Sequence, residues 1–168
     1  MVAAWFYTGG SRPYGYMALG EVMVFVFFGL VAVIGTTYVQ TESWEPGAVY
    51  AGIGVGALAC AILVVNNLRD IPTDRVAGKR TLAVLLGDER TRYLYLFLVA
   101  AAAVAVVGVA SVTTWWALVG LVFVARCVAP VRTVLGGANG PALIPVLAAT
   151  GAAELIWSAG VAVPLLIA

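Results

Sequence analysis

The chain has 168 residues, of which 63% are hydrophobic and 10% are charged, and its mean hydropathy is +1.05. Soluble domains carry about 25% charged residues, so this composition indicates a membrane protein in contact with the lipid bilayer. The net charge of +1 gives no indication of a nucleic-acid partner. The chain contains no histidine, which excludes imidazole base chemistry, a histidine-bound zinc and a Ser-His-Asp triad within it.

Five apolar stretches reach or approach the length needed to cross a bilayer, which is about 20 residues. We predict these spans at 22–38, 47–65, 93–112, 115–131 and 142–166. The first ten residues are apolar but short, and we expect them to be the tail of an earlier helix. The sequence therefore predicts an all-α integral-membrane helical bundle of about five transmembrane helices, with 1–168 forming a single membrane domain.

The charged residues between the spans are distributed unequally. If the spans alternate in direction, Arg12, Arg132 and the basic residues of the loop 66–92 lie on one side of the membrane. Glu42 and Glu45 lie on the other side. By the positive-inside rule, we predict that the loop 66–92 lies on the cytoplasmic side of the cell membrane. Aromatic residues near the predicted span ends agree with interfacial positions; they are Tyr14, Tyr16, Tyr38, Trp44, Tyr93, Tyr95, Trp115 and Trp116.

Small residues inside the spans are predicted to serve packing. Cys60 and Cys127 both lie in apolar spans, so neither a disulfide framework nor a metal site is expected of them. Gly52 and Gly56 form a GxxxG pattern in the second span. Close helix packing is favoured over a nucleotide-binding loop there, because no strand precedes the glycines and no phosphate-binding lysine follows them.

Two charged residues fall inside later spans. Arg126 lies near the basic end of the fourth span, where a long side chain can reach the interface, although a role in substrate binding is the alternative. Glu154 lies well inside the last span, where an ionised carboxylate is costly. The sequence leaves open whether Glu154 is protonated, paired with a cation or directed into a cavity.

The polar residues of the chain are concentrated in the stretch 66–81, which we predict to be a loop after the second span. Asp70 and Asp74 are four residues apart, so on a helix they lie on one face, with Asn66 one turn earlier. Two carboxylates at this spacing repel each other, and Mg²⁺ bound between them removes the repulsion while diphosphate oxygens and water complete its coordination. Pro72 lies between the aspartates and is expected to bend the segment there.

Basic and amide side chains surround the two aspartates in sequence. The basic ones would supply hydrogen-bond donors to a diphosphate; they are Arg69, Arg75, Lys79 and Arg80. Asn66 and Asn67 directly follow an apolar run, where paired amides are costly unless they are hydrogen-bonded or line a wet cavity. The alternative is an ordinary solvated loop that obeys the positive-inside rule.

The residues Asn66-Asn67-Leu68-Arg69-Asp70 through Asp74, followed by AGKRTLAV at 77–84, resemble the second aspartate-rich motif of the UbiA-type aromatic prenyltransferases. The double asparagine and GKRTLAV are similar to the dihydroxynaphthoate branch of that family in particular. Further matches are Tyr7-Thr8-Gly9-Gly10, Pro13-Tyr14 and Gly20-Glu21 near the beginning of the chain, and a weaker one at 143–150. The resemblance covers nearly the whole chain.

The resemblance implies a larger fold than five spans. Members of the family are all-α bundles of about nine spans, each of about 20 residues, with two aspartate-rich motifs facing each other. This sequence has one such motif, so we expect it to be the C-terminal part of a UbiA-type fold, incomplete and inactive alone. A genuine half-size protein is the alternative.

By resemblance, the reaction is transfer of a polyprenyl group from polyprenyl diphosphate to 1,4-dihydroxy-2-naphthoate with decarboxylation, giving demethylmenaquinone. Alternatives are another aromatic prenyl transfer of the same family, a cation pathway using Asp70, Asp74 and Glu154, or a non-catalytic helical subunit. The resemblance assigns Asp70 and Asp74 as catalytic ligands of Mg²⁺. It assigns Asn66, Asn67, Arg69, Lys79 and Arg80 to diphosphate binding, and Tyr7, Tyr14 and Glu21 to the aromatic acceptor.

Overall fold

The computed structural model describes residues 18–168, and the regular structure within them is helical. The helices are α1 (Gly20–Thr41), α2 (Pro46–Val76), α3 (Leu82–Leu86), α4 (Asp88–Val112), α5 (Trp115–Leu135) and α6 (Gly140–Ile167). All of these except α3 are long and apolar enough to cross a membrane, which confirms the predicted all-α bundle and its five spans. α5 and α6 each begin with a 3₁₀ segment.

Helix α2 extends further than expected. The prediction that 66–81 is a loop was wrong as far as Val76, because α2 continues to that residue with Pro72 inside it. Proline removes one backbone donor and disfavours helical geometry in the residue before it. The buried side chains of Leu68 and Ile71 oppose this effect, since both belong to the hydrophobic core and hold this part of the helix against its neighbours.

Helix α2 lies at the centre of the bundle and packs against α1, α4 and α6. A tryptophan on α6 joins three of these helices. The indole of Trp157 is buried against Gly54 of α2, where an added Cβ would lie 2.1 Å from the ring. Its Nε1–H donates to the carbonyl of Ala102 on α4 at 2.9 Å. The absence of a side chain at residue 54 therefore makes room for the ring that ties α6 to α2 and α4.

Helices α1 and α2 approach each other closely at glycines. A Cβ added to Gly29 of α1 would lie 2.5 Å from the carbonyl oxygen of Gly52 and 2.7 Å from the Cα of Gly56. This contact confirms the packing role predicted for the GxxxG pattern. At the same level, α1 widens into a π-helical segment over Phe25–Val31.

The helix order places the connections at two ends of the bundle. Residues 77–81 and 136–139 lie at one end, and residues 42–45 and 113–114 lie at the other. Lys79 and Arg80 of the first connection and Arg132 in the last turn of α5 thus share one end, as predicted. Arg12, Tyr14 and Tyr16 lie outside the described residues. Exposed rings near helix ends agree with interfacial positions; they are Tyr38, Trp44, Tyr93, Trp115 and Trp116.

Tyr95 and the two cysteines are buried inside the bundle. The prediction that Tyr95 lies at the membrane interface was wrong, because its ring is fully buried and its hydroxyl lies 2.9 Å from the hydroxyl of Thr150 on α6. Cys60 and Cys127 are buried and free, which confirms that they are packing residues.

Candidate functional site

The last three turns of α2 and the turn that follows carry the polar residues predicted to form the site. Leu68 and Ile71 are buried on one side of this segment, and Asn66, Asn67 and Asp70 are half-buried. The core contacts therefore fix the rotation of α2 about its axis, and that rotation determines which polar side chains are accessible. We refer to Asn67, Arg69, Asp70, Asp74 and Lys79 as the aspartate site.

Asp70 forms a bidentate ion pair with the residue before it. Nε of Arg69 donates to Oδ1 of Asp70 at 2.7 Å, and Nη2 donates to Oδ2 at 2.9 Å. Both side chains retain about a third of their exposure, at 28% and 31%. Because this carboxylate is paired but accessible, it can exchange its partner without unfolding the helix.

Asp74 is more deeply buried and has a different cationic partner. Its side chain is 7% exposed, and its Oδ1 lies 3.2 Å from Nζ of Lys79. The turn after α2 produces this contact, because the backbone N–H of Lys79 donates to the carbonyl of Asp74 at 2.9 Å. Gly78 in that turn has φ +69°, a left-handed conformation that favours glycine. The GKR sequence thus returns a lysine to the second aspartate.

Asn67 is bonded to a residue far away in the sequence. Its Nδ2 donates to Oε1 of Glu21 at 2.9 Å, and Glu21 is buried at the start of α1. The thiol of Cys60 donates to the backbone carbonyl of Glu21 at 3.0 Å. Asn67 was predicted to bind the diphosphate and Glu21 to bind the acceptor, and the structure brings these two residues together.

The remaining predicted residues are less connected. Asn66 is half-buried, and Arg80 is exposed; neither side chain forms a hydrogen bond or ion pair with residues 18–168. Tyr7 and Tyr14 lie outside the described residues. Their role and that of Glu21 in acceptor binding stay predictions.

One polar cluster at the same end of the bundle was not predicted from the sequence. Arg92 of α4 is buried, and its Nε and Nη2 donate to Asp88 at 2.6 and 2.8 Å. Nη2 also donates to Oδ1 of Asn139 at 2.9 Å, and Nη1 donates to the carbonyl of Val134. We call this cluster the Arg92 clamp, since it joins α4 to the end of α5 and the turn before α6. The Asp88–Arg92 spacing of four residues was the available signal.

The donor chemistry of the aspartate site fits a hard divalent cation. Asp70 and Asp74 lie one turn apart on an uninterrupted helix, and carboxylate oxygens together with substrate phosphate oxygens are the ligands that Mg²⁺ prefers. Each carboxylate already has one cationic partner, which such an ion would have to replace. Within residues 18–168, no group of three or more metal-binding side chains comes together.

Two charged residues of the later helices lie apart from these clusters. Glu154 is half-buried on α6, and no hydrogen bond or ion pair within the described part of the chain involves its side chain, so the paired alternative is not supported there. Arg126 is exposed on α5, which agrees with a side chain that extends to the membrane–water interface.

Comparison with known proteins identifies the family. The sequence profile of the UbiA prenyltransferase family matches residues 1–135. The chain belongs to the UbiA prenyltransferase family. The residues of the aspartate site lie within the matched part of this UbiA chain. UbiA enzymes generally use a divalent metal, in agreement with the donors present.

Individual relatives share extensive identity with this UbiA chain. It is 51% identical over 165 residues to the 1,4-dihydroxy-2-naphthoate octaprenyltransferase of Mycobacterium tuberculosis, with 96% of this chain and 55% of the relative covered. It is 54% identical over 92 residues to the protein of that name from Haemophilus influenzae, covering 55% of this chain and 30% of the relative. The UbiA prenyltransferase domain-containing protein 1 of Rattus norvegicus is 38% identical over 89 residues, with 53% and 26% covered.

The chain spans about half the length of its mycobacterial relatives, at 55% of each. No solved structure matches it. The activity named for these longer relatives is therefore a proposal for this chain.

Proposed function

We propose that this chain is part of a membrane prenyltransferase that transfers a polyprenyl group from polyprenyl diphosphate to 1,4-dihydroxy-2-naphthoate. The acceptor ring loses its carboxylate as CO₂ and gains the prenyl group, so the product is the hydroquinone form of demethylmenaquinone, an intermediate of menaquinone biosynthesis. The observation that carries the proposal is the aspartate site, in which two carboxylates on one helix each lie against a basic side chain. Names of similar proteins that include this acceptor support the choice of substrate.

The chemistry requires charge neutralisation rather than a nucleophilic side chain. When an allylic diphosphate ionises, the bond between carbon and oxygen breaks and the electron pair leaves with the diphosphate. Cationic groups fixed beside that oxygen lower the energy of the transition state. A bound Mg²⁺ would contribute further neutralisation of the leaving group. The lack of histidine is therefore compatible with this reaction.

The residues of the aspartate site would divide this work. Asp70 and Asp74 would hold the metal, with Asn66 or Asn67 assisting. Arg69 and Lys79 neutralise the two carboxylates in the structure, and they would donate to diphosphate oxygens once the carboxylates bind metal. Arg80, which follows Lys79, would add a further donor. The same side chains thus stabilise the aspartates before substrate arrives and the diphosphate afterwards.

A cation pathway is the main alternative, since carboxylates within membranes mark ion routes. Bidentate pairing of Arg69 with Asp70 argues against it, because an arginine at this position opposes a cation that arrives alone and favours one that arrives with an anionic phosphate. Glu154, which that alternative also requires, forms no bond with the aspartates in the described residues.

The membrane orientation is a second part of the proposal. The chain is a multi-pass membrane protein. We propose that the end carrying the aspartate site and the Arg92 clamp faces the cytoplasm, because the basic residues of the connections lie at that end.

The test is a prenylation assay in lipid nanodiscs. The chain is prepared alone and together with the N-terminal half of the Mycobacterium tuberculosis relative, then incubated with Mg²⁺, 1,4-dihydroxy-2-naphthoate and polyprenyl diphosphate. We expect the prenylated, decarboxylated product by mass spectrometry from the combined protein, and its loss with EDTA. Absence of product from the combined protein, while the intact relative is active, would contradict the proposal. Cation flux into liposomes under the same conditions would support the pathway alternative.

A further inference from the structure

The carboxylate of Glu21 is buried where α1 meets the polar end of α2. Two hydrogen bonds hold it in this position: Asn67 donates to its carboxylate at 2.9 Å and Cys60 donates to its backbone carbonyl at 3.0 Å. These two residues of α2 are about two turns apart, so Glu21 is fixed in both position and direction. A carboxylate fixed in this way can orient the group that it contacts.

The bond decides which end of the Asn67 amide is available. Asn67 presents its NH₂ group to the accepting oxygen of Glu21, and this turns Oδ1 of Asn67 away. Oδ1 has no hydrogen bond to the described residues. Among those residues, no buried side-chain nitrogen or oxygen lacks a partner, so this oxygen is accessible. An accessible amide oxygen is a ligand for hard cations.

We propose that Glu21 is a positioning residue that locks the Asn67 amide with its carbonyl oxygen directed to the metal and diphosphate. Asn67 lies three residues before Asp70, so the two side chains are neighbours on the surface of α2. The inference rests on the proposed function, and it gives Glu21 a role in the diphosphate half of the site. In this role Glu21 acts through Asn67 and does not itself touch the metal or the diphosphate.

Binding of inorganic pyrophosphate with Mg²⁺ to the nanodisc-embedded protein tests this role without turnover. Glu21→Ala removes the lock, and we expect the dissociation constant to rise about tenfold or more. Glu21→Gln keeps an acceptor but allows the Asn67 amide to turn either way, so we expect a rise of about twofold. The control is Glu89→Ala, an exposed carboxylate with no bond in the described residues, which should leave binding unchanged.

The sharpest readout comes from exchanging the carboxylate at residue 21 with the amide at residue 67. Asn67→Asp places one acceptor against another, and we expect binding to weaken about tenfold. Adding Glu21→Gln restores a donor to face the introduced carboxylate, with the net charge of the parent, and we expect recovery to within about threefold. If Glu21→Ala fails to fold, comparing Asn67→Asp with the double variant still tests whether Glu21 orients the side chain at residue 67. Melting temperatures without ligand separate loss of binding from loss of structure.

Four results would overturn the inference. Glu21→Gln as damaging as Glu21→Ala would indicate that Glu21 contacts the metal or substrate directly. Unchanged binding in Glu21→Ala, or failure of the double exchange to recover binding, would show that the orientation of Asn67 is irrelevant. If the parent protein itself does not bind pyrophosphate with Mg²⁺, the proposed function fails, and the inference fails with it. The parent measurement therefore distinguishes the two failures.

Discussion

The aspartate site and the Arg92 clamp lie at the same end of the bundle, and each contains an arginine bound to an aspartate through two hydrogen bonds. Their surroundings differ. Arg69 retains 28% of its side-chain exposure and pairs only with Asp70 among the described residues. The side chain of Arg92 is 7% exposed and also bonds Asn139 and the carbonyl of Val134.

This difference separates an exchangeable ion pair from a structural one. An accessible pair with a single partner contributes little to stability, so its members can rebind to a metal or a phosphate. A buried guanidinium with four hydrogen bonds would leave several groups unsatisfied if it moved. Burial and the number of partners, rather than the residue types, therefore distinguish the exchangeable pair from the fixed one.

The largest difference between variants of the aspartate site and variants of the Arg92 clamp is expected in turnover. Asp70→Asn keeps the shape of the accessible side chain and removes its charge, so the combined protein should lose activity by about 1000-fold with a melting temperature within about 2 °C of the parent. Asp88→Asn in the clamp is the matched control and should keep turnover within about threefold. Product formation is followed by mass spectrometry. Comparable turnover in the two variants would contradict a catalytic role for the aspartate site and a structural role for the Arg92 clamp.

The next difference is expected in stability. Arg92→Ala removes the hydrogen bonds to Val134 and Asn139 and should lower the free energy of unfolding by about 3 kcal/mol. Arg69→Ala breaks an accessible pair and should cost less than about 1 kcal/mol. Reversible unfolding in mixed micelles measures both. Equal losses would mean that the partners of Arg92 contribute nothing.

A smaller effect is expected one turn further along α4, where Tyr95 extends the contact between α4 and α6. Tyr95→Phe removes the hydroxyl that meets Thr150, and the loss should be about 1 kcal/mol. The hydroxyl of Thr150 keeps its bond to the carbonyl of Val146, which limits the cost. Tyr93→Phe, on the exposed side of the same helix, should be neutral within error. Micelle unfolding again provides the measurement.

No difference between the two regions is expected in membrane sidedness. Val76→Cys, at the end of α2 beside the aspartate site, and Ala142→Cys, near the clamp, should both resist a membrane-impermeant thiol reagent applied outside intact cells. Ser43→Cys at the opposite end should react. The native cysteines are buried, which keeps the background low. External labelling at residue 76 or 142 would reverse the proposed orientation.

Five spans, the all-α class, the shared end of the basic connections and the family could all be predicted from the sequence alone. These properties are read from hydropathy along the chain, from charges between the spans and from a long motif, all of which are local in sequence. Asp70 and Asp74 could be recognised as a pair for the same reason, since a spacing of four residues is a local pattern. Each correct prediction depended on residues close together in the chain.

Other features depend on contacts between residues that are distant in the chain. Helix α2 continues through Pro72 because Leu68 and Ile71 are held in the core. Tyr95 is buried because Thr150 of α6 lies opposite its hydroxyl. Glu21 meets Asn67 across 46 positions of sequence, and Arg92 meets Asn139 across 47. Such contacts depend on how the helices rotate and pack against one another, and that arrangement is set by the whole bundle together.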